Sequence, residues 1–138
     1  KGYSPMKKMI SSLLCFSIAI FSLAACANNT LPEWADTDVL TEKAQIMIDT
    51  LNSFDYDSVA DIYNNPAVDA STFEASGETI KDYGTFESYG GISYVADKTD
   101  DGDEFVRVIQ IVNYEKGKLT FTVSFFEDGS VAGFRMSE

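Results

Sequence analysis

Apolar residues along the first half of the chain recur with the period of a helix. Between residues 38 and 53 they are spaced three or four positions apart, so one face of a helix would carry all of them. The residues of this stripe are Leu40, Ala44, Met47, Ile48, Leu51 and, just past the end, Phe54. Thr37 or Asp38 is the predicted N-cap, because a short polar side chain there accepts an otherwise unpaired backbone N–H.

Two shorter helices are predicted downstream. The segment FDYDSVADIYNN predicts a helix capped by Asp57 or Ser58. It ends before Pro66, because the residue that precedes a proline is pushed out of the helical region. The segment DASTFEASGETIKDYG predicts a third helix that ends at Gly84. Gly77 in its middle costs about 1 kcal/mol relative to alanine, so the sequence leaves open a break at this residue.

After residue 85 the period of the apolar residues changes to two, which predicts β-strands. The segments DDGD, EKGK and EDGS each contain a glycine, the residue that most easily adopts the positive φ of a tight hairpin. The strands that these turns separate are predicted at residues 86–97, 104–115, 118–127 and 130–137. Gly90 and Gly91 predict a bulge or a bend in the first strand.

Two of the strands differ in how clearly their faces are separated. In LTFTVSF, residues 119–125, apolar and hydroxyl side chains alternate, which indicates one buried and one solvated face. FVRVIQIVNY, residues 105–114, alternates less clearly and is predicted inside the sheet. Short loops make successive strands antiparallel neighbours, so we expect a four-stranded meander. Its apolar face and the helix stripes must bury each other, which predicts an α+β domain of two layers.

The composition limits the partners and the chemistry of this domain. All 22 acidic residues and seven of the ten basic ones follow Cys26, so this part has fifteen more acidic than basic residues. The phosphates of nucleic acid would repel such a surface, which argues against DNA or RNA as a partner. A cationic partner stays open, although an acidic surface is explained by solvation alone. Histidine is absent from the sequence, which excludes an imidazole base and histidine metal ligands.

The first 26 residues have the pattern of an export signal. Lys7 and Lys8 precede an apolar run over residues 9–25, and small residues close the run. Its end, LAAC at residues 23–26, resembles the bacterial lipobox. The resemblance implies that acyl chains, palmitate among them, are carried by Cys26 and that a signal peptidase cuts between Ala25 and Cys26. The protein would then be extracytoplasmic and lipid-anchored to the bacterial cell membrane.

This interpretation divides the chain into a signal peptide at residues 1–25, a tether at 26–37 and the α+β domain at 38–138. Two alternatives stay open. Ala25, Cys26 and Ala27 also fit the A-x-A pattern of an ordinary secretory cleavage site, which would release the protein. The run over residues 9–25 is also just long enough to remain as a membrane-spanning helix.

Trp34, the only tryptophan, lies in the predicted tether. The sequence does not indicate whether it packs on the domain, contacts lipid headgroups or binds a partner. No cysteine follows Cys26, so the domain has no internal disulfide and depends on its core for stability.

Two acidic segments are candidates for chemistry. Asp55, Asp57 and Asp61 lie close to Tyr56 and Tyr63 in the sequence, a combination that can supply a general base and a hydrogen-bond donor. The alternative, which we favour, is that the carboxylates cap or solvate a helix while the tyrosines pack in the core.

The second acidic segment is DKTDDGDE, residues 97–104, which places Asp97, Thr99 and Asp101 at the first, third and fifth positions of a calcium loop. The twelfth position is Val108, where a bidentate glutamate is required, so the segment is predicted to be a hairpin turn. We predict no catalytic residue, no cofactor site and no metal site.

The order of the elements resembles a family of small bacterial lipoproteins. The resemblance covers most of residues 38–138. The segments that carry it are LAAC, the helix beginning FDYDSVADIY, the helix ending at Gly84 and the hairpin TFTVSFFEDGSVAGFRM. It implies a domain of unknown function with the cone-shaped nuclear transport factor two-like, or cystatin-like, fold. That superfold includes isomerases, dehydratases and many binding modules, so the resemblance assigns no activity and no catalytic residue.

We therefore expect a lipid-anchored binding or interaction module that contacts an unknown envelope protein or a small ligand. The alternative is a small-molecule carrier, or an isomerase- or hydrolase-like enzyme, with a pocket between the helices and the sheet. A polar-lined cavity of several hundred Å3 would favour the alternative, whereas a filled interior would favour the interaction module.

Overall fold

Three α-helices form one layer of the fold. The structure is a computed structural model and describes residues 30–138. The helices span Thr37–Asn52 (α1), Tyr56–Tyr63 (α2) and Glu74–Tyr83 (α3), and a 3-10 helix over Ala70–Phe73 leads into α3. The three predicted helices are confirmed, although the third segment begins as a 3-10 helix.

The N-cap of α1 is Asp36. Its carboxylate accepts hydrogen bonds from the backbone N–H groups of Asp38 and Val39, at 3.0 and 3.3 Å. The predicted cap, Thr37 or Asp38, is wrong because the helix already begins at Thr37, and the residue immediately before the first turn provides the cap.

Asp55 caps α2 in the same way. Its carboxylate accepts from the backbone N–H of Ser58 at 3.2 Å and from the hydroxyl of the same residue at 2.7 Å. The predicted cap, Asp57 or Ser58, is wrong because α2 begins at Tyr56, so both residues lie inside its first turn. One of the three clustered aspartates therefore has a structural role.

Gly77 lies inside α3, and the helix continues through it without the break that the sequence left open. A Cβ atom at this position would lie 2.6 Å from Cζ of Tyr56, whose ring fills the space beside the helix. Glycine therefore allows the tyrosine of α2 to pack directly on the backbone of α3.

The second layer is a four-stranded antiparallel sheet. Its strands span Phe86–Lys98 (β1), Glu104–Tyr114 (β2), Gly117–Phe126 (β3) and Val131–Ser137 (β4), in the spatial order β1-β2-β3-β4. This arrangement confirms the predicted meander, with β2 and β3 inside it. The pairing of β1 with β2 changes register between Tyr89 and Ile92, which confirms a bulge at Gly90 and Gly91.

One face of the sheet packs against the helices and forms the core. The buried apolar side chains of the helical layer are Leu40, Ala44, Met47, Ile48, Leu51, Val59, Phe73 and Ile80. Those of the sheet are Val106, Val108, Val112, Tyr114, Leu119, Phe121, Val123 and Phe125. Burial of these side chains is the main stabilising contribution to the fold. Within residues 30–138, no helix has both the length and the apolarity to cross a bilayer.

Gln110 is a polar side chain inside this core, only 1% exposed. Its Nε2 lies 3.2 Å from the carbonyl oxygens of Gly90 and Gly91 and 2.9 Å from that of Ile111. Its Oε1 accepts a hydrogen bond from Nε2 of Gln45 in α1, at 3.0 Å. The amide therefore satisfies the backbone of the bulge and connects it to the helical layer.

Candidate functional site

The predicted lipidation and cleavage residues, Cys26 and Ala25, lie outside the described residues. The structure describes the predicted tether from residue 30 onward, and this part packs on the domain, since Leu31, Trp34 and Ala35 contact the core. The indole Nε1 of Trp34 also donates to Oε1 of Glu104 at 3.3 Å. The structure thus answers the question that the sequence left open about Trp34, which packs on the domain.

The aspartates and tyrosines at the start of α2 do not assemble into an acid–base site. Asp57 and Asp61 are exposed and line an open depression of about 640 Å3. The ring of Tyr63 packs against Phe73, with 6.1 Å between ring centroids. The hydroxyl of Tyr56 is buried against α3 and has no hydrogen-bond partner within residues 30–138. The geometry agrees with the favoured alternative of caps, solvated carboxylates and packed rings.

We expect Tyr56→Phe to stabilise the domain by about 1 kcal/mol, because it removes a buried hydroxyl that makes no hydrogen bond. Urea unfolding followed by circular dichroism measures the change. Tyr114→Phe is the matched control and should destabilise the domain, since it removes a hydroxyl that donates to Asn52. A loss of stability in Tyr56→Phe equal to that in the control would contradict the prediction.

The segment of residues 97–104 is a hairpin turn, as predicted. The backbone N–H of Thr99 donates to the carbonyl of Asp103 at 2.9 Å, and Gly102 adopts a positive φ of 93°. The backbone N–H of Lys98 and the guanidinium of Arg107, 2.9 Å away, donate to the Asp97 carboxylate and hold its pKa below the usual value. Within the described part of the chain, no three acidic, cysteine or histidine side chains come together as metal ligands.

A depression at the C-terminal end of the helices, which we call the end pocket, was not predicted from the sequence. It has a volume of about 450 Å3 and opens to solvent. Its walls come from the ends of α1, α3, β1 and β2. The residues that define it are Asn52, Phe54, Lys81, Gly84, Phe86 and Tyr114.

A hydrogen-bonded pair forms the polar part of the end pocket. The hydroxyl of Tyr114 donates to Oδ1 of Asn52 at 2.6 Å. Nδ2 of Asn52 is buried and has no acceptor among the described residues. Burial raises the pKa of Tyr114 to about 12, although the hydrogen bond with Asn52 acts in the opposite direction, and the negative charge of Asp49 adds a smaller increase. Tyr114 therefore remains a protonated donor at neutral pH and fixes the orientation of the Asn52 amide.

An aspartate–tyrosine pair that the sequence did not predict lies beside the end pocket. The hydroxyl of Tyr89 donates to the carboxylate of Asp49 and also lies 3.1 Å from the carbonyl oxygen of Gln45. Burial, followed by the bond to Asp49, raises the pKa of Tyr89 far above its ordinary value. Asp49 is exposed on α1, so the pair is at the surface and does not face an enclosed space.

The backbone at the rim of the end pocket has an unfavourable conformation. Each α-helix is followed within two residues by one with positive φ, namely Phe54 at 63°, Asn64 at 55° and Gly84 at 86°. Glycine and asparagine are usual at such positions, whereas other residues cost about 1–2 kcal/mol there. Phe54 is 37% exposed, so part of its apolar surface remains in contact with solvent. In the sequence, Phe54 simply continues the apolar stripe of α1, and nothing there indicates its backbone conformation.

Three helices covering one face of an antiparallel meander define an α+β domain of two layers. The fold is similar to the NMR structure of a protein from Ruminococcus gnavus ATCC 29149, with a TM-score of 0.70. The two chains are 22% identical, and the similarity covers 78% of this chain and 96% of that chain, so it shows the fold alone. No family model and no curated protein sequence matches the chain.

Proposed function

We propose that the protein is a lipid-anchored extracytoplasmic lipoprotein whose folded part binds an envelope component and has no catalytic role. The observation that carries the binding role is the filled interior. Met47, Ile48, Leu51 and Phe121 are completely buried where the helices meet the sheet. Gln110 brings a polar side chain into this region, and its amide is occupied by the backbone of the bulge.

An enzyme of the cone-shaped superfold would need a reactive group facing an enclosed space between the layers. The carboxylates that were candidates for such a role, Asp57 and Asp61, lie instead on the outer surface of α2. The small-molecule carrier is the stronger alternative, because Asn52 carries an unpaired donor at the end pocket. These features support a binding role better than they support a catalytic one.

The anchor is supported by the LAAC segment and by the place where the domain begins. Four residues, and so five Cα–Cα steps, separate Cys26 from Leu31, the first of the described residues in contact with the core. At about 3.3–3.6 Å per residue, this stretch reaches no more than about 18 Å. An acyl anchor on Cys26 would therefore hold the domain close to the bilayer surface, with its acidic residues opposing close contact with anionic lipid.

We expect Cys26→Ser to abolish lipidation, because only a thiol can form the thioether bond to the lipid. The protein is produced in a bacterium, cells are separated into membrane and soluble fractions, and the intact mass is measured. The wild-type chain should be found in the membrane fraction with a mass that begins at Cys26 and includes acyl chains. Cys15→Ser is the matched control, since it removes the other cysteine of the chain and should behave as the wild type.

Two results of the mass measurement would contradict the proposal that the protein is lipid-anchored. A soluble product that begins at Asn28 without acyl chains would show an ordinary secretory cleavage after Ala27. An uncleaved wild-type chain in the membrane fraction would show that residues 9–25 remain as a spanning helix.

A further inference from the structure

Two unfavourable features of the domain occur together at the end pocket. Nδ2 of Asn52 is a buried donor without an acceptor among the described residues, which is unfavourable because the group has lost its hydrogen bonds to water. Phe54, two residues further on, has the left-handed backbone conformation that is unfavourable for a residue with a side chain of its type. Neither feature stabilises the fold, and strained or unsatisfied groups that cluster at one depression are typical of a ligand site.

The unpaired amide requires an acceptor from a ligand. Tyr114 donates to Oδ1 of Asn52, so this oxygen is occupied and Nδ2 remains the free group of the amide. Nδ2 is covered from solvent, and a ligand must displace a side chain to reach it. Phe54 and Lys81 at the rim are exposed and can move without loss of core contacts.

Aromatic rings provide the apolar surface of the end pocket. The rings of Phe86 and Tyr114 pack edge to face, with 6.2 Å between centroids. The ammonium group of Lys81 lies 5.0 Å from the centroid of the Phe54 ring. A flat apolar ring of a ligand can replace this ammonium group over Phe54 and contact Phe86 from the other side of the depression.

The charges around the end pocket favour a neutral ligand. The charge of Lys81 is offset by Glu78, whose Oε2 lies 3.2 Å from its Nζ. Oε1 of Glu115 lies 3.4 Å from the backbone nitrogen of Thr85 at the edge of the depression. Asp49 is close enough to raise the pKa of Tyr114. These carboxylates repel an anion, and a cation would leave the Asn52 donor unmatched.

We propose that the end pocket binds a small neutral ligand that combines an apolar ring face with a carbonyl oxygen. The ring face packs on Phe54 and Phe86, and the carbonyl oxygen accepts a hydrogen bond from Nδ2 of Asn52. Aromatic amides and N-acetylated sugars both have this chemistry. The proposal deepens the binding role above and is independent of the lipid anchor.

Saturation-transfer NMR on the full chain in lipid nanodiscs tests the site. The probes are benzamide and N-acetylglucosamine, and the controls are benzyl alcohol and glucose, which have a ring but no carbonyl oxygen in the ring form. We expect one or both probes to receive saturation and both controls to receive much less. Binding of benzamide alone identifies an aromatic amide as the ligand type, and binding of N-acetylglucosamine alone identifies a sugar. Saturation of neither probe overturns the proposal.

Two variants locate the binding site. Asn52→Asp keeps the acceptor for Tyr114 and removes the donor, so the probe should bind about tenfold more weakly. Phe54→Gly removes the ring and should weaken binding about fivefold. It should fold without loss of stability, because glycine favours positive φ. Asn113→Asp is the matched control, since Nδ2 of Asn113 donates to Ser88 outside the end pocket. Equal binding by Asn52→Asp, Phe54→Gly and the wild type overturns the proposal.

The same measurement on Cys26→Ser separates this proposal from the anchor. Its binding should equal that of the wild type, because the end pocket is built from residues 52–114. An anchored protein that binds neither probe overturns the pocket alone, whereas a secreted protein that binds a probe overturns the anchor alone.

Discussion

Gln110→Glu should destabilise the domain by about 3–5 kcal/mol at pH 7. Glutamate has the same shape as glutamine, so packing is unchanged. The substitution places a carboxylate oxygen where Nε2 now donates toward the carbonyl oxygens of Gly90, Gly91 and Ile111. The side chain is 1% exposed, so water cannot solvate the new charge. The new oxygen therefore faces three carbonyl acceptors and no donor, while the other oxygen keeps its hydrogen bond from Gln45.

The loss of stability in Gln110→Glu should depend on pH. Glutamate in the unfolded chain has a pKa of about 4.3, and burial among carbonyl oxygens raises the pKa of the folded state above it. The folded state then holds its proton more tightly than the unfolded state. Below about pH 4.3 the variant therefore has its highest stability relative to the wild type. As the pH rises from there toward the folded pKa, this relative stability is lost at about 1.4 kcal/mol per pH unit.

Urea unfolding of the variant and the wild type at pH 5, 6, 7 and 8 measures this dependence at pH values above the sequence pI of about 4.2. Asn113→Asp is the control, because it makes the same amide-to-acid change at a half-exposed position of the same strand. The control should lose less than about 1 kcal/mol at every pH. A Gln110→Glu variant with the same stability difference at pH 5 and pH 8 would show that the carboxylate is solvated.

Gly77→Leu should destabilise the domain by about 2–3 kcal/mol, although leucine has the higher helix propensity by about 1 kcal/mol. The Cβ atom of any larger residue at this position would lie 2.6 Å from Cζ of Tyr56. The tyrosine ring must therefore leave its place between α2 and α3. The free energy of unfolding, measured with urea, gives the effect.

Two further variants show whether contact with Tyr56 causes the loss. Ala75→Leu makes a similar change at an exposed position of the same helix and should be almost neutral. Tyr56→Ala combined with Gly77→Leu should recover at least about 1 kcal/mol relative to the sum of the single changes, because the new side chain occupies the vacated space. Equal losses of stability in Ala75→Leu and Gly77→Leu would indicate that the close approach of α2 and α3 does not cause the effect of Gly77→Leu.

The elements of the fold were largely predictable because each has a local signature. The stripe from Leu40 to Leu51 places α1 on the core, and alternation in residues 119–125 places β3 there. Glycines mark the turns and the bulge at Gly90 and Gly91. The caps were missed by one to three residues, since Asp36 and Asp55 stand close to other polar residues that are equally suitable in the sequence.

The role of Gln110 was not predictable in the same way. It interrupts the alternation of β2 between Val108 and Val112, so the strand has less clear sidedness in the sequence. Its partners are the bulge in β1 and Gln45 in α1, and the last of these is 65 residues away. Only the folded chain brings this amide to the carbonyl groups that it satisfies.

The sequence by itself determined the acidic charge, the order of helices and strands and the faces that pack together, and it predicts an export signal. These properties follow from residue type and from periods of two and 3.6, which are local. The tertiary structure alone decided the end pocket, because Asn52, Phe54, Phe86 and Tyr114 come from the ends of separate elements. The tertiary structure also explains why residue 77 is a glycine, because the side chain of a larger residue would collide with the tyrosine of another helix.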